Sequence, residues 1–439
     1  MNYAETLDYL FARLPMYSRI GAAAYKTDLD NTIALLKAVG DPQLRFKTIH
    51  VAGTNGKGSV SHMLAAILQQ AGYKTGLYTS PHLVDFRERI RINGQMIPEQ
   101  SVVAFTEQIK NSIEAIEPSF FELTVAMAFD HFAQEAVDIA VIETGLGGRL
   151  DSTNVIQPVL SVITNIGWDH MNLLGDTLEK IAFEKAGIIK ARTPVVIGEW
   201  LPETRPVFER RALESKAPIT WAGTHFSVAS FEWTPQTQTI VVQEKNSGQS
   251  TPYTLDLLGH YQQKNVLTVL ESIRVLQHQG WKISEEALQG ALRDVKFLTG
   301  LAGRWEVLRI HPYLILDVTH NVHGLEALLQ QLKTIPHRNL HVVLGMVNDK
   351  DIHSFLAQLP LTAAYYFTQA AIPRALPGDQ LRAVAASIGL NGSCYADVNA
   401  AIQVALEQAK ADDLIVVTGS IFLIGEVNRE ALRSVPPQT

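Results

Sequence analysis

Short apolar runs alternate with segments of helical periodicity along most of this chain. The runs occupy residues 48–52, 138–142, 159–164, 194–197, 313–316, 341–344 and 414–418. Runs of this length suit strands that are buried on both faces, and the helices between them supply the crossovers of a parallel sheet. We therefore predict an α/β fold built on mainly parallel sheets.

The chain of 439 residues is long enough for about two or three domains. Residues 219–257 differ from the rest because they alternate apolar and polar positions and contain turn residues at 246–248. The stretch 294–303 shows no clear period and is interpreted as a linker. We predict a P-loop-type sheet domain over 1–296 with a small antiparallel β insert at about 219–257, and a smaller, Rossmann-like α/β domain over 297–439.

Composition excludes several classes of protein. The 37 Lys plus Arg against 44 Asp plus Glu give a net charge of -7, which argues against a protein that coats nucleic acid. A single cysteine, Cys394, cannot form an intramolecular disulfide, and the first residues lack the basic and apolar regions of a signal peptide. No apolar stretch approaches the roughly 18 residues of a membrane span. We expect a cytoplasmic protein with neither nucleic-acid nor membrane partners.

The strongest local motif is a glycine-rich loop, Gly53-Thr54-Asn55-Gly56-Lys57-Gly58-Ser59, between the strand at 48–52 and a segment of helical periodicity. Backbone N–H groups of such a loop can bind phosphate, while Lys57 adds a charge and Ser59 offers a hydroxyl to Mg²⁺. The motif departs from the general P-loop pattern, because Val51 and Gly58 stand where Gly and Ser or Thr are usual. The alternative is a tight turn without ligand. We predict a site for a nucleoside triphosphate.

Polar residues follow two further predicted strands. Glu143 comes directly after the run at 138–142, and Asp169 and His170 follow the run at 159–164. Ligands of open α/β sheets bind at the carboxyl ends of the strands, so Glu143 could hold Mg²⁺ there. Mg²⁺ prefers oxygen ligands, so chemistry alone does not decide whether His170 is a structural residue or a metal ligand.

For two basic motifs, chemistry alone does not decide between a surface position and a functional role. Lys185 lies in a helical segment, where most lysines are solvated surface residues. Arg87, Arg89 and Arg91 alternate, so an extended backbone would place three guanidinium groups on one face. That face could bind an anionic substrate or form an exposed, charged edge strand.

Further motifs follow in chain order: Thr79-Ser80-Pro81-His82-Leu83, Glu143-Thr144-Gly145-Leu146-Gly147-Gly148-Arg149-Leu150-Asp151, Asp169-His170, Glu184-Lys185-Ala186-Gly187-Ile188, Gly303-Arg304-Trp305-Glu306, Asp317-Val318-Thr319-His320-Asn321 and Thr418-Gly419-Ser420. Together with the glycine-rich loop, they closely resemble the folylpolyglutamate synthase and dihydrofolate synthase family, which are ATP-dependent Mur-type ligases. The resemblance covers nearly the whole chain in order.

The resemblance implies two Mg²⁺ sites beside ATP. Ser80 and Glu143 would hold one ion, and Glu143, His170 and a carbamylated Lys185 would hold the second. This implication replaces the reading of Lys185 as a surface residue. Carbamylation needs a neutral amine, which a desolvated lysine near cations can supply.

The resemblance also implies the substrate contacts. Residues of the glycine-rich loop would bind the ATP phosphates, and further ATP contacts would come from Asn265, Arg304, Asp317 and His320, with the second domain closing over the nucleotide. The pterin-bearing substrate would contact Phe121, Glu122, Thr124, Arg149, Asp151, Thr153 and Asn154, with weaker matches around Lys26 and 87–91. The chain departs from the family at Val318, Thr319 and Val322, where Gly, Ala and Pro are common.

The expected reaction is the addition of L-glutamate to a reduced folate, and also to dihydropteroate, through an acyl phosphate. The catalytic residues would be Lys57, Glu143, His170 and Lys185. One alternative is a related ligase acting on a nucleotide-linked cell-wall precursor, and another is a nucleotide-binding regulator without catalysis. The expected partners are small molecules, namely ATP, L-glutamate and the folate or dihydropteroate, and the chain is expected to be a monomer.

Overall fold

The computed structural model describes residues 1–16, 21 and 28–432. The chain divides into two compact units. The first comprises residues 1–232, 237–256 and 262–301, and the second comprises residues 233–236, 257–261 and 302–439. In the described part of the chain, no helix has the length and hydropathy needed to cross a bilayer.

The first unit is built on an eight-stranded sheet of order β4-β3-β2-β5-β1-β6-β7-β8. Its strands are β1 (Lys47–Ala52), β2 (Thr75–Tyr78), β3 (Ile90–Ile92), β4 (Gln95–Met96), β5 (Ile139–Glu143), β6 (Leu160–Ile163), β7 (Val195–Ile197) and β8 (Ile219–Trp221). At one edge of the sheet, β3 pairs antiparallel with both β2 and β4. All other neighbouring strands pair in parallel. The predicted mainly parallel α/β fold is confirmed.

The helices of the first unit are α1 (Tyr3–Arg13), α2 (Asp30–Ala38), α3 (Lys57–Gln70), α4 (Glu99–Gln108), α5 (Lys110–Ile116), α6 (Phe120–Gln134), α7 (Met171–Leu174), α8 (Leu178–Ala186), α9 (Arg205–Ser215), α10 (Gln262–His278), α11 (Glu285–Arg293) and α12 (Val295–Thr299). Short 3₁₀ turns occupy Pro42–Leu44, Phe86–Arg89 and Ser152–Val155. Apolar side chains of α6, including Phe129 and Phe132, are buried in one core cluster. Those of α8 and α9, including Ile181 and Phe208, are buried in another.

The central position of β1 determines where the polar loops meet. Val51 of β1 is in register with Glu143 of β5 on one side and with Val162 of β6 on the other. The glycine-rich loop and the segments after β5 and β6 therefore leave the sheet at the same carboxyl edge. This is the edge at which open α/β sheets bind ligands.

A separate three-stranded sheet contains β9 (Phe226–Trp233), β10 (Gln238–Glu244) and β11 (Ser250–Leu255), in the order β11-β10-β9. β10 and β11 pair antiparallel, with an exposed turn at 246–248. The start of the predicted insert differs, because β8 pairs in parallel with β7 and completes the main sheet. A three-residue strand at a sheet edge is too short for its periodicity to reveal which sheet it joins.

The predicted linker at 294–303 is also partly ordered. Residues Val295–Thr299 form the helix α12, whose last carbonyls are followed by Gly300 in the left-handed region at φ 71°. The carboxylate of Asp256 accepts the N–H of Lys296 at 2.7 Å and so stabilises the first turn. A helix of one and a half turns is too short to display a period in sequence.

The second unit has a six-stranded sheet of order β12-β13-β17-β14-β15-β16. Its strands are β12 (Glu306–Ile310), β13 (Tyr313–Leu316), β14 (Leu340–Leu344), β15 (Ala364–Phe367), β16 (Gly392–Cys394) and β17 (Leu414–Thr418). Its helices are α13 (Val322–Leu332), α14 (Ile352–Leu356), α15 (Gly378–Ser387), α16 (Val398–Gln408), α17 (Ile421–Gly425) and α18 (Arg429–Leu432). Only β12 pairs antiparallel, which matches the predicted second α/β domain in type.

Candidate active site

Two glycines of the loop after β1 have conformations and surroundings that exclude a side chain. Gly53 has φ 151° and Gly56 has φ 82°. A Cβ atom on Gly53 would lie 1.9 Å from Thr164 Oγ1, and one on Gly56 would lie 2.5 Å from Asn265 Oδ1. The loop can therefore pass close to both neighbours only with glycine at these positions.

The segment after β6 fixes the loop from one side. The carbonyl of Asn165 accepts the N–H of Thr54 at 3.0 Å, and its side-chain oxygen accepts the N–H of Asn55 at 2.8 Å. The Thr54 hydroxyl donates to the carbonyl of Gly167 at 3.1 Å. Asn165 was not predicted as a site residue, although its place directly after a buried strand is the signal that could have identified it.

Two lysines converge on one carbonyl of this loop. Lys57 Nζ donates to the oxygens of Gly53 at 3.0 Å and Thr54 at 3.2 Å, and Lys185 Nζ donates to the oxygen of Gly53 at 2.9 Å. Lys185 is buried, on α8. Burial, and secondarily the positive charge of Lys57, lowers the pKa of Lys185 to about 7. Lys185 thus lies against the glycine-rich loop with an accessible neutral form.

Glu143 ends β5 beside the loop and is 4% exposed. Its Oε2 accepts the N–H of Ser80 at 3.2 Å, so the structure brings together the two residues predicted to share a metal ion. His170 lies in the segment after β6 with φ 49°, and its Nε2 is 3.7 Å from Asp169 Oδ2. His170 therefore belongs to the same segment that fixes the glycine-rich loop through Gly167.

Ser59 and Asn265 are joined by a residue that was not predicted. Gln262 Nε2 donates to Ser59 Oγ at 3.1 Å, and Gln262 Oε1 accepts from Asn265 Nδ2 at 2.7 Å. Gln262 is fully buried at the start of α10. The spacing of three residues between Gln262 and Asn265 places both on one helix face, which is the signal that sequence reasoning could have used.

The donor set at this edge suits magnesium. Glu143 supplies a buried carboxylate, and Ser59 and Ser80 supply hydroxyl oxygens, which are hard ligands of the kind that Mg²⁺ prefers. Within the described ranges, no group of three or more His, Cys, Asp or Glu side chains is arranged to hold a metal ion. A magnesium site here would therefore depend on serine oxygens and on ligands from the substrate.

Asp151 organises the segment that follows Glu143. It is buried, and its Oδ2 accepts the N–H of Leu146 at 2.8 Å while its Oδ1 accepts the N–H of Thr153 at 3.0 Å and the Thr153 hydroxyl. Burial raises the pKa of Asp151, and the hydrogen bonds from Thr153 and Leu146 oppose this rise. Phe121 borders the same segment, because a Cβ on Gly145 would lie 2.5 Å from the Phe121 ring.

Other predicted substrate residues have structural partners. Glu122 forms the capping box of α6 with Ser119, and Thr124 Oγ1 lies 3.1 Å from the Tyr78 hydroxyl. Asn154 Nδ2 donates to the carbonyl of Arg149 at 3.0 Å. In the part of the chain that the structure describes, Glu122 Oε1 and Asn154 Oδ1 are buried without a hydrogen-bond donor.

Arg149 is held by an ion pair with Glu184. Its Nε lies 3.2 Å from both carboxylate oxygens, and its Nη2 lies 2.9 Å from Oε1. The guanidinium also lies 5.7 Å from the centre of the Phe183 ring. The Arg149 side chain is 44% exposed, so it remains accessible from solvent.

The extended backbone predicted for the three alternating arginines is wrong at Arg87 and Arg89. Residues Phe86–Arg89 form a 3₁₀ turn whose capping box joins Asp85 and Glu88, so the backbone is not extended there. Arg87 pairs with Asp85 at 2.7 Å, whereas Arg89 and Arg91 are buried. Lys26, the other weaker match, lies outside the described residues.

The remaining predicted ATP contacts belong to the second unit. Asp317 follows β13 and is buried, where it accepts the N–H of Trp305 at 2.9 Å and the Tyr261 hydroxyl at 3.2 Å. His320 Nδ1 lies 3.1 Å from the carbonyl of Val318. The side chain of Arg304 is half-buried. Within this unit, Asp317 and His320 follow a strand end, as Glu143 does in the first.

The burial of His50 in β1 predicts that the folded chain becomes less stable in acid. The side chain is fully buried, and burial, with a smaller effect of Lys190, lowers its pKa from 6.5 to about 3. As the pH falls from 6.5 towards 3, the unfolded chain binds a proton that the folded chain does not, so stability should fall. The urea midpoint should therefore drop between pH 7 and pH 5 by more in the parent chain than in His50→Gln. Equal drops would contradict the role of His50.

Comparisons with known proteins identify the family of this chain. Sequence models of the Mur ligase middle domain and of the Mur ligase glutamate ligase domain match residues 51–273 and 303–421. The chain is 34% identical over 437 residues to the dihydrofolate synthase/folylpolyglutamate synthase of Bacillus subtilis, covering 97% of this chain and 98% of that protein. It is 31% identical to the folylpolyglutamate synthase of Lacticaseibacillus casei, covering 98% and 99%.

Solved structures give the same result. The Escherichia coli FolC protein in complex with DHPP and ADP has a TM-score of 0.83 at 31% identity, covering 98% of both chains. Mycobacterium tuberculosis folylpolyglutamate synthase complexed with ADP has a TM-score of 0.86 at 30% identity, covering 99% of both. The fold and the glycine-rich loop thus define a Mur ligase. Within that superfamily, the chain belongs to the folylpolyglutamate synthase/dihydrofolate synthase family, and the family predicted from its motifs is confirmed.

Proposed function

We propose that this chain is an ATP-dependent ligase that adds L-glutamate to reduced folates and also to dihydropteroate. The observation that carries the proposal is the convergence of Lys57 and Lys185 on the Gly53 carbonyl, beside a buried Glu143. A phosphate-binding loop with two adjacent lysines and a carboxylate suits transfer of a phosphoryl group. Family membership limits the acceptor to the folate class.

The first step activates a carboxylate of the folate. One carboxylate oxygen attacks the γ-phosphorus of ATP, the bond to the β,γ-bridging oxygen breaks, and ADP leaves with an acyl phosphate formed. Backbone N–H groups at the start of α3 and the ammonium of Lys57 would stabilise charge on the transferring group. We assign further ATP contacts to Asn265 in the first unit and to Arg304, Asp317 and His320 in the second.

The second step forms the amide. The neutral amino group of glutamate attacks the acyl carbon, inorganic phosphate leaves, and the nitrogen loses a proton. The acyl phosphate would hydrolyse in water, so the protein must exclude solvent from it. We also assign Glu122 and Asn154 to the contacts of the pterin-bearing substrate. Phe121, Thr124, Arg149, Asp151 and Thr153 complete our assignment of substrate contacts.

Two Mg²⁺ ions belong to this proposal. Ser59, Ser80 and Glu143 would hold one ion, and Glu143, His170 and a carbamylated Lys185 would hold the other. Bound Mg²⁺ would neutralise phosphate charge during transfer. The Ser80 N–H orients the carboxylate of Glu143, and the segment that contains His170 is joined to the loop through Gly167.

Carbamylation of Lys185 predicts a pH-dependent signal. The neutral amine attacks CO₂, the new N–C bond forms, and one proton is released, which leaves an anionic oxygen ligand. Because the pKa of Lys185 is lowered to about 7, the neutral fraction should rise steeply between pH 6 and pH 8. With ¹³C-bicarbonate, a carbamate carbon signal should grow over this range in the parent chain and be absent from Lys185→Arg. A signal that persists in Lys185→Arg would assign it to another amine.

One assay tests the reaction itself. ADP release should be measured with glutamate plus either dihydropteroate or tetrahydrofolate, and without each component in turn. The proposal requires release that depends on both glutamate and a pterin-bearing acceptor. Release with only one acceptor would define a monofunctional enzyme, whereas none with either acceptor would overturn the proposal. The monomeric state and the cytoplasmic location remain part of the proposal.

A further inference from the structure

A chain of buried polar side chains connects β1 to the segment that follows β5. His50 of β1 and Thr153 are fully buried, and Asp151 is 3% exposed. His50 Nε2 lies 2.8 Å from Thr153 Oγ1, and Thr153 Oγ1 is hydrogen-bonded to Asp151 Oδ1. The reaction proposed above assigns no role to His50.

The directions of these hydrogen bonds follow from the chemistry of the groups. The Thr153 hydroxyl donates its single proton to Asp151 Oδ1, which also accepts the N–H of Thr153. The oxygen of Thr153 must then accept from His50, which requires the imidazole with its proton on Nε2. His50 Nδ1 is buried and has no partner among the described residues, as expected for the unprotonated nitrogen of this tautomer.

At its other end, this series of hydrogen bonds reaches the candidate active site through Asp151. Asp151 Oδ2 accepts the N–H of Leu146 at 2.8 Å. Leu146 lies three residues after Glu143, in the segment whose Gly145 borders the Phe121 ring. A change at His50 can therefore reach this segment through three consecutive hydrogen bonds: His50 with Thr153, Thr153 with Asp151, and the Leu146 N–H with Asp151.

We propose that His50 is a positioning residue for the pterin-bearing substrate. By donating to Thr153, it fixes the orientation of Asp151 and hence of residues 145–148. Its N–H group should determine the affinity for the folate or dihydropteroate, with little effect on ATP. The substrate part of this inference rests on the proposed function, whereas the effect on residues 145–151 does not.

The first unit contains a matched control pair. His62 Nδ1 lies 2.8 Å from Thr299 Oγ1, and both residues are buried, on α3 and α12. The Thr299 hydroxyl donates to the backbone carbonyl of Val295 at 2.6 Å. The acceptor of the threonine proton is therefore a carbonyl of the same helix, whereas for Thr153 it is a carboxylate. His62→Phe therefore removes a comparable buried hydrogen bond that does not lead to Asp151.

The experiment compares His50→Phe, His50→Gln and His62→Phe in steady-state kinetics. His50→Phe should raise the KM for the pterin-bearing substrate about tenfold and leave the KM for ATP within about twofold, because one buried hydrogen bond is lost. His50→Gln retains a donor and should recover part of the affinity. Equal changes in both KM values, or the same rise in His62→Phe, would overturn the proposal.

A second measurement is independent of catalysis. Amide hydrogen exchange in residues 145–151 should be faster in His50→Phe than in the parent chain and unchanged in His62→Phe. If His50→Phe does not fold, Thr153→Val breaks the same connection and should give the same exchange pattern. Unchanged exchange would refute the connection. Faster exchange in a chain without folate-dependent ADP release would support the connection and reject the proposed function.

Discussion

The Lys57→Ala variant should release ADP at least about 100-fold more slowly than the parent chain in the presence of glutamate and a folate acceptor. The Lys57 ammonium already lies at the glycine-rich loop, 3.0 Å from the Gly53 oxygen. Removing a positioned charge that stabilises a transferring phosphoryl group typically costs about 3 kcal/mol. The measurement is steady-state ADP release at saturating ATP, so that weaker nucleotide binding is not counted as slower chemistry.

Lys180→Ala provides the control for loss of a lysine from the same unit. Lys180 is 61% exposed and forms an ion pair with the exposed Asp176, four residues earlier in the chain. Such a surface ion pair contributes at most about 1 kcal/mol, so this variant should turn over normally. Near-normal turnover in Lys57→Ala would remove Lys57 from the reaction.

Glu143→Gln should abolish Mg²⁺-dependent turnover while the chain still folds. Glutamine has nearly the same shape and can still accept the Ser80 N–H through its side-chain oxygen, but it lacks the negative charge that a metal ligand needs. Loss of an outer-shell residue alone lowers metal affinity about 10- to 100-fold, so we expect a loss of at least about 100-fold in kcat/KM. Titration with Mg²⁺ in an ATP-binding assay should show the same weakening.

Glu135→Gln is the matched control for Glu143→Gln. Glu135 pairs with Lys74 at 2.9 Å, and its side chain is 50% exposed. The variant makes the same chemical change at the surface and should keep both turnover and Mg²⁺ dependence. If Glu143→Gln retains the Mg²⁺ dependence of the parent chain, Glu143 is not a metal ligand.

Seven strands of the eight- and six-stranded sheets were predictable because their apolar runs are buried on both faces, namely β1, β5, β6, β7, β13, β14 and β17. The runs ending at Ala52 and near Glu143 correspond to β1 and β5, and the loop between β1 and α3 follows from its glycines. The 3₁₀ turn at Phe86–Arg89 was not predictable from alternation, since a capping box by Asp85 and Glu88 overrides it. Local hydrogen bonding can thus determine a short segment against its apparent period.

The site itself was only partly predictable from chemistry. A helical lysine gives no sign of burial in sequence, so only the family resemblance selected Lys185 before its place beside Gly53 was known. Asn165 and Gln262 contact the loop across more than 100 residues of chain. Contacts over such distances depend on the assembled sheet, so the place of Asn165 after a strand and the spacing of Gln262 and Asn265 could mark both as candidates but could not identify their partners in the loop.

The exposed turn between the antiparallel strands β10 and β11 is a suitable place to insert a peptide tag. Gln243 and Ser250 are the last residues in register, and a Cβ on Gly248 would meet no atom within 4 Å. Extra residues at such a loop tip lengthen only the loop, and the entropy of closing it grows slowly with length. A short peptide epitope inserted after Ser247 would therefore allow the protein to be detected while leaving the eight-stranded sheet unchanged.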